Sequence, residues 1–211
     1  MFKSVLSRDA QAALAVLGKS GLVAHGYLAG GSALALHLGH RQSEDFDFFS
    51  QHPFDPRKLS ASLQKIGVFH AEVAEGISLL GTFNGIKLSY FRYEYPLLAP
   101  THPFLHIAIA DLQDIAAMKL AAIMDRGTKR DFIDVYMVAQ KGISLEDMFL
   151  WYSKKYKMFE SNALSLIKSL QYFDDAEKTH MPVMLASIVW EDVKAFFIAE
   201  SMRLARTYLE G

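Results

Sequence analysis

Two aspartates lie two residues apart in the segment 30–49, where side chains alternate as in a β-strand with one buried face. We expect Asp45 and Asp47 on one face of this strand, and Phe46 and Phe48 in the core behind them. Two adjacent carboxylates repel each other unless a cation lies between them, and Mg²⁺ with a triphosphate favours such oxygen ligands. The alternative, two merely exposed residues, leaves unexplained why aspartate, which strands disfavour, occurs among phenylalanines.

A glycine turn precedes the acidic strand. Gly30, Gly31 and Ser32 open a short predicted helix that ends before Gly39. Backbone N–H groups at a helix N-terminus form a cradle for anions, and glycine allows a phosphate to approach the backbone closely. The Ser32 hydroxyl is a candidate further donor. Taken alone, the turn also fits an ordinary connection from strand to helix.

A second group of charged residues lies in the segment 119–136. A predicted helix carries Lys119 and Arg126, and the next helix has Asp131 and Asp134 near its start. Lysine and arginine stabilise negative charge during phosphoryl transfer, and Asp131 is a candidate to orient the lysine, bind metal or help activate an acceptor. An interhelical salt-bridge network is the alternative interpretation.

The elements that position these residues are predicted from periodicity and turn signals. In the first half, helices are predicted over Ser7–Leu17 (ended by Gly18), Ser32–Leu38 and from Asp55-Pro56 to Gly67, and strands over Leu22–Leu28, Asp45–Phe49 and Val68–Val73. Asn84-Gly85 predicts a hairpin of Ile77–Phe83 with Ile86–Arg92, in which Phe83 pairs with Ile86, Gly81 with Leu88 and Leu79 with Tyr90. Helices follow over Asp111–Asp125 and Lys129–Ala139, from Ser144, where Ser144 and Asp147 resemble a capping box, over Ser161–Tyr172 and over Trp190–Tyr208.

Composition narrows the class of protein. The chain has 211 residues, 51% of them hydrophobic, as in an ordinary globular protein. A net charge of −1 gives no overall basic signal for nucleic acid, and the lack of cysteine excludes disulfides and thiolate metal sites. We expect no signal peptide, no membrane span and a cytoplasmic location.

A short basic run is the remaining candidate surface. Lys154, Lys155 and Lys157 occur beside Tyr152 and Tyr156. The run predicts a solvated helix face, and contact with an RNA acceptor is the alternative.

Two motifs together resemble a known superfamily. Ala29-Gly30-Gly31-Ser32 and Asp45-Phe46-Asp47-Phe48 are similar to the signature of the DNA polymerase beta-like nucleotidyltransferases. The longer pattern Gly-Gly-Ser-x-Leu-x-Leu-x-x-Gly-His-Arg-x-Ser-x-Asp-x-Asp-x-Phe more specifically resembles the AbiEii/AbiGii toxins of bacterial toxin–antitoxin and abortive-infection systems. The segment 119–136 resembles the helical Lys…Arg…Arg-Asp-x-x-Asp motif of that family.

The resemblance implies an α+β fold, and the proline-rich segment from Pro96 to Pro103 favours a division of the chain there. Residues 1–103 would form a nucleotidyltransferase-like core with a small mixed sheet and flanking helices. Residues 104–211 would form a helical region that completes the active-site cleft.

The resemblance also implies Mg²⁺-dependent (or Mn²⁺-dependent) transfer of NMP from an NTP to a tRNA 3′ end or a protein hydroxyl, with a cognate antitoxin as partner. Asp45 and Asp47 would hold the metal. The implied catalytic residues are Asp45, Asp47, Lys119 and Asp131, and the implied nucleotide-binding residues are Gly30, Gly31, Ser32, Arg41 and Arg126.

Two alternatives stay open, the first because of a departure from the superfamily pattern and the second because the helical half could serve interaction alone. Many enzymes of the superfamily have a third carboxylate on a neighbouring strand, whereas Ile86–Arg92 contains no acid. The alternatives are a catalytically degenerate NTP-binding module and a non-enzymatic interaction protein.

Overall fold

The computed structural model describes residues 1–157 and 160–210, with side chains placed over 1–157 and 163–207. The chain forms two compact units, Met1–Asp111 and Leu112–Gly211. The division follows the last strand of the sheet, whereas the proline-rich segment suggested a boundary near residue 103.

The first unit contains a mixed sheet of seven strands in the order β3-β4-β5-β2-β1-β7-β6. The acidic strand β2 is central, because it pairs in parallel with β5 and antiparallel with β1. The α+β prediction with a mixed sheet is therefore confirmed. The strands are β1 (Tyr27–Ala29), β2 (Phe46–Ser50), β3 (Phe69–Glu75), β4 (Ser78–Phe83), β5 (Ile86–Arg92), β6 (His102–Phe104) and β7 (Ile107–Ile109), and the helices are α1 (Arg8–Ser20), α2 (Gly30–Leu38) and α3 (Pro56–Ile66).

One face of this sheet forms the core of the unit. Four side chains lie side by side across β1, β2, β5 and β4 and are at most 2% exposed: Leu28, Phe48, Tyr90 and Leu79. Helix α3 packs against β3 and β4, and α1 contacts β5 and β7. Burial of these apolar side chains is the main force that holds β2 in the centre of the sheet.

The β4–β5 hairpin has the predicted register. Phe83 pairs with Ile86 and Leu79 with Tyr90, and Asn84 and Gly85 occupy the turn with φ of 50° and 82°. Asparagine and glycine adopt this left-handed conformation most readily, so the turn is determined locally.

Helix boundaries follow their caps. Ser7 accepts a hydrogen bond from the Ala10 N–H at the start of α1, and Asp55 caps α3 with Pro56 as its first residue. The predicted end of α1 at Gly18 is wrong, because the helix continues to Ser20. Gly18 instead allows close packing, since a Cβ there would clash with the Leu105 carbonyl oxygen in the β6–β7 turn.

Two predictions about strands are corrected. The strand expected over Leu22–Leu28 is only Tyr27–Ala29, and most of the preceding segment forms turns. The hairpin of β6 and β7 was not predicted, because each strand has three residues and β6 contains Pro103. Proline is tolerated in an edge strand, and β6 is the edge of this sheet.

The second unit is helical. The predicted capping box at the start of α6 is confirmed, since Ser144 accepts from the Asp147 N–H and the Asp147 carboxylate accepts from the Ser144 N–H. Phe132 packs edge to face against Phe197, with ring centroids 5.1 Å apart. The helices are α4 (Leu112–Asp125), α5 (Lys129–Ala139), α6 (Leu145–Tyr156), α7 (Glu160–Ser169), α8 (Asp174–Glu177) and α9 (Trp190–Glu210).

Candidate active site

The two aspartates have the predicted alternation of faces. Burial alternates along residues 45–50, with Phe46 and Phe48 fully buried and Asp45 and Asp47 half-buried. Strand β2 begins at Phe46, so Asp45 immediately precedes the paired residues, whereas Asp47 pairs with Ala29 on β1. Asp47 on this central strand and Asp45 just before it thus alternate with the buried core residues Phe46 and Phe48.

The glycine turn lies directly against Asp47. A Cβ on Gly30 would be 2.8 Å from the Asp47 Oδ2, and Gly30 has a left-handed φ of +67°. Gly30 is therefore suited to both the backbone conformation and the approach of the carboxylate. This juxtaposition of acid and glycine turn is the arrangement on which the sequence-based hypothesis depends.

Gly31 makes room for a second charged side chain. A Cβ on Gly31 would be 2.5 Å from the Arg41 Nη2, and Arg41 is only 2% exposed. The Arg41 Nη1 donates to the Gln42 carbonyl oxygen at 3.1 Å, which holds the guanidinium at the turn. A cation therefore lies at the start of α2, whose N-cap Ala29 has no side-chain acceptor for the first N–H groups.

Two serines connect this helix to the acidic strand. The Ser32 Oγ is 2.5 Å from the Asp45 carbonyl oxygen and 3.0 Å from the Ser43 Oγ. Sequence reasoning did not single out Ser43. The signal that could have identified Ser43 is its place in the Arg-x-Ser-x-Asp part of the longer pattern that begins at Gly30.

The neighbouring strand supplies no third acid. Ser89 on β5 is in register with Asp47, and Leu88 pairs with Phe46, which places Lys87 one position earlier on the strand. Ser89 is half-buried and Lys87 is exposed. The sequence showed that this strand contains no acid, and the register now shows that Ser89 is the residue beside Asp47.

In the second unit, Lys119 is buried between two carboxylates. Its Nζ lies 2.9 Å from the Asp131 Oδ1 and 2.6 Å from the Asp134 Oδ2. Lys119 is 6% exposed, and both aspartates are fully buried. The helices α4 and α5 therefore hold the ammonium group in one place, as an interhelical ion-pair network does.

Asp131 is saturated with hydrogen-bond donors. It accepts bonds from the Lys119 Nζ, from the Nε and Nη2 of Arg126 and from the Thr128 hydroxyl, at 2.6 to 3.2 Å. Burial alone would raise the pKa of Asp131, but Lys119, Arg126 and Thr128 outweigh it and hold this pKa well below its usual range. Asp131 is therefore a weak proton acceptor.

Asp131 is expected to stabilise the fold in a pH-dependent manner. Because its folded-state pKa is depressed, its contribution is fully present above the unfolded-state pKa of about 4 and is lost as the pH falls further, toward the folded-state value. Asp131→Asn should lower the free energy of unfolding at pH 7 by about 2–3 kcal/mol. The loss should shrink between pH 5 and pH 2.5, as measured by urea denaturation.

The matched control for this prediction is Asp125→Asn, which removes an exposed carboxylate from the end of α4. This control should leave the pH dependence of unfolding close to that of the wild-type protein. An Asp131→Asn protein with wild-type stability at pH 7 would contradict the prediction.

The prediction that the basic run of Lys154, Lys155 and Lys157 forms a solvated helix face is wrong for one of these residues. Lys155 is fully buried, and its Nζ lies 2.6 Å from the Asp114 Oδ1, which is also buried. Lys154 and Lys157 are exposed. Lys155 therefore lies neither on a solvated face nor on a surface for RNA, because it joins α6 to α4.

The described part of the chain lacks two other features, a cluster of three or more metal-binding side chains and a membrane-spanning helix. Within residues 1–157 and 160–210, no group of three or more His, Cys, Asp or Glu residues has an arrangement that could hold a metal ion. The carboxylate pair therefore carries the metal hypothesis alone. In the same described part of the chain, no helix combines the length and the apolar composition that crossing a membrane requires.

The mixed sheet has an acid-bearing central strand with a glycine turn beside it. A family model described as nucleotidyl transferase AbiEii toxin, type IV TA system, matches residues 12–96 and 80–196. The chain belongs to this AbiEii nucleotidyltransferase toxin family. An uncharacterized protein of Aquifex aeolicus is 36% identical over an alignment of 212 positions that covers 98% of each chain.

Solved structures share the fold at lower identity. JHP933 from Helicobacter pylori has 19% identity and a TM-score of 0.56, covering 97% of this chain and 95% of its own. MenT4, a nucleotidyltransferase toxin from Mycobacterium tuberculosis, has 15% identity and a TM-score of 0.50, covering 94% and 89%.

Proposed function

We propose that this nucleotidyltransferase toxin transfers NMP from an NTP to an RNA, such as a tRNA 3′ end, or to a protein hydroxyl, with Mg²⁺ as cofactor. The observation that carries the proposal is the contact of the Asp47 carboxylate with Gly30, at the N-terminus of α2. Carboxylate oxygens and backbone N–H groups within one turn suit a cation and a triphosphate that bind together.

Phosphate binding is assigned to the start of α2. The N–H groups of Gly30, Gly31 and Ser32 occupy its first turn, where the helix dipole favours an anion. Arg41, packed against Gly31, adds a positive charge at the same turn. These groups are proposed to bind the β and γ phosphates.

Metal binding is assigned to Asp45 and Asp47. The donor set fits Mg²⁺, which commonly binds one or two carboxylates and completes its coordination with water and substrate phosphates. Mn²⁺ accepts the same oxygen ligands. When bound, the metal would neutralise phosphate charge and stabilise the leaving pyrophosphate. Ser89, in register with Asp47, supplies no further carboxylate.

The proposed reaction exchanges a phosphoanhydride bond of the NTP for a phosphoester bond to the acceptor. An acceptor hydroxyl attacks the α-phosphorus and forms a new P–O bond, while the bond to the bridging oxygen of the β-phosphate breaks. Pyrophosphate leaves, and the hydroxyl proton passes to solvent.

Supporting roles are proposed for residues of the second unit on the strength of the family motif. Lys119 would supply positive charge during transfer, and Arg126 would contribute to nucleotide binding. The saturated carboxylate of Asp131 fits an orienting role for Lys119 better than that of a base, because its pKa is depressed. A cognate antitoxin is the proposed protein partner, and the cytoplasm, where NTPs are available, is the proposed location.

Incubation with each of four α-³²P-labelled NTPs, Mg²⁺ and cell lysate tests the function. Label in the RNA or protein fraction, lost when EDTA replaces Mg²⁺, is the expected result because the acceptor then carries NMP. Label in RNA identifies a nucleic-acid acceptor, and label in protein identifies a protein acceptor. Absence of label with every NTP, despite tight Mg²⁺-dependent NTP binding by calorimetry, would instead identify a degenerate binding module.

A further inference from the structure

The Ser32 side chain is buried between α2 and the loop that leads to β2. Ser32 is fully buried, and its Oγ lies 2.5 Å from the Asp45 carbonyl oxygen and 3.0 Å from the Ser43 Oγ. The Ser43 Oγ in turn lies against the turn, since a Cβ on Gly31 would be 3.2 Å from it. These atoms form a compact hydrogen-bonded group, here called the serine tether (Ser32, Ser43 and the Asp45 carbonyl).

A count of hydrogens determines the direction of each bond. A carbonyl oxygen only accepts, so the single hydroxyl hydrogen of Ser32 is donated to Asp45. The bond between the two serines therefore uses the hydroxyl hydrogen of Ser43, and Ser32 is its acceptor. With both hydrogens used inside the tether, neither hydroxyl has a hydrogen left to donate to a phosphate.

Of the two aspartates of the acid pair, the tether contacts Asp45, which is the one that lies outside the paired residues of β2. Asp47 is held by β1 and β5 on both sides, whereas Asp45 precedes the first paired residue of β2. The backbone of Ser43 is fixed as well, because its N–H donates to the Val5 carbonyl oxygen at 3.1 Å. The Ser32 hydrogen bond therefore fixes the position of Asp45 at the point where the loop enters β2.

We propose that the Ser32 side chain is a positioning residue, which sets the Asp45 carboxylate for metal binding and does not bind phosphate. The inference rests on the proposed function, because it assigns Asp45 to the metal. The backbone N–H of Ser32 keeps its place in the phosphate cradle. Loss of the hydroxyl is then expected to weaken metal affinity specifically. Mutation of a residue that orients a metal ligand typically lowers metal affinity by about 10–100-fold.

The test measures metal and nucleotide binding separately by calorimetry, with a non-hydrolysable NTP analogue so that no turnover is required. Ser32→Ala is expected to raise the half-saturating Mg²⁺ concentration about tenfold or more. The dissociation constant of the analogue at saturating Mg²⁺ is expected to stay within about twofold of wild type, because saturating metal compensates for weak metal binding. Ser43→Ala should give a smaller shift, since it removes only the outer bond of the tether.

A matched pair isolates the hydroxyl from the change in shape. Ser32→Thr and Ser32→Val add the same bulk, but only threonine keeps the hydroxyl, so valine should need about tenfold more Mg²⁺ than threonine. This comparison of the two variants tests the role of the hydroxyl even if Ser32→Ala fails to fold. An analogue affinity that falls at saturating Mg²⁺, with half-saturation unchanged, would overturn the inference and make Ser32 a phosphate donor.

The wild-type protein separates this inference from the proposed function. If wild type binds neither Mg²⁺ nor the analogue, the proposed function fails. If wild type binds both and the Ser32 variants bind equally well, only the positioning role fails.

Discussion

Asp45→Asn is expected to reduce nucleotidyl transfer at least about a hundredfold, the usual loss when one group that stabilises transition-state charge is removed. Asparagine keeps the shape of the side chain but removes the negative charge, which is what a divalent cation binds. The fold should remain intact, because the Asp45 side chain is half-exposed and the backbone carbonyl that Ser32 contacts is retained.

The measurement is the initial rate of labelled NMP incorporation at saturating Mg²⁺ and NTP. Asp47→Asn should give a comparable loss, since its carboxylate lies at Gly30. Glu44→Gln is the matched control, because it neutralises an adjacent exposed acid and should retain nearly full activity. An Asp45→Asn protein with wild-type rates would refute the assignment of the acid pair to the metal.

Lys155→Met is expected to give the largest loss of stability, about 3–5 kcal/mol, because it leaves the Asp114 carboxylate buried without its lysine partner. Methionine has a similar length and fills most of the volume of the lysine stem, so the loss would reflect charge more than a cavity. The midpoint and slope of urea denaturation measure this change in the free energy of unfolding.

Two further variants complete that experiment. Lys154→Met changes the exposed neighbour and should shift the free energy of unfolding by less than about 0.5 kcal/mol. Combining Lys155→Met with Asp114→Leu should recover most of the stability, since an apolar pair of similar volume replaces the buried charges. If Lys155→Met were as stable as Lys154→Met, the buried ion pair would have no structural role.

Local signals predicted much of the fold because they act within a few residues. Asn84-Gly85 determined the hairpin register, and Ser144 with Asp147 determined the start of α6. The end of α1 was wrongly predicted at Gly18. Glycine both ends helices and allows close packing, and the sequence does not distinguish these two roles. Contact with the distant Leu105 decided between them.

For the candidate site, the sequence by itself determined the acid pair, the glycine turn and the family, because residue types at fixed spacing carry the chemistry of metal and phosphate binding. Only the tertiary structure decided that Asp47 lies against Gly30, that the Ser32 hydrogen goes to Asp45, and that Lys155 is buried. The physical reason is that these contacts join residues 13 to 41 positions apart. At that separation, packing of whole helices and strands sets which side chains meet, and local preference has no influence on the choice.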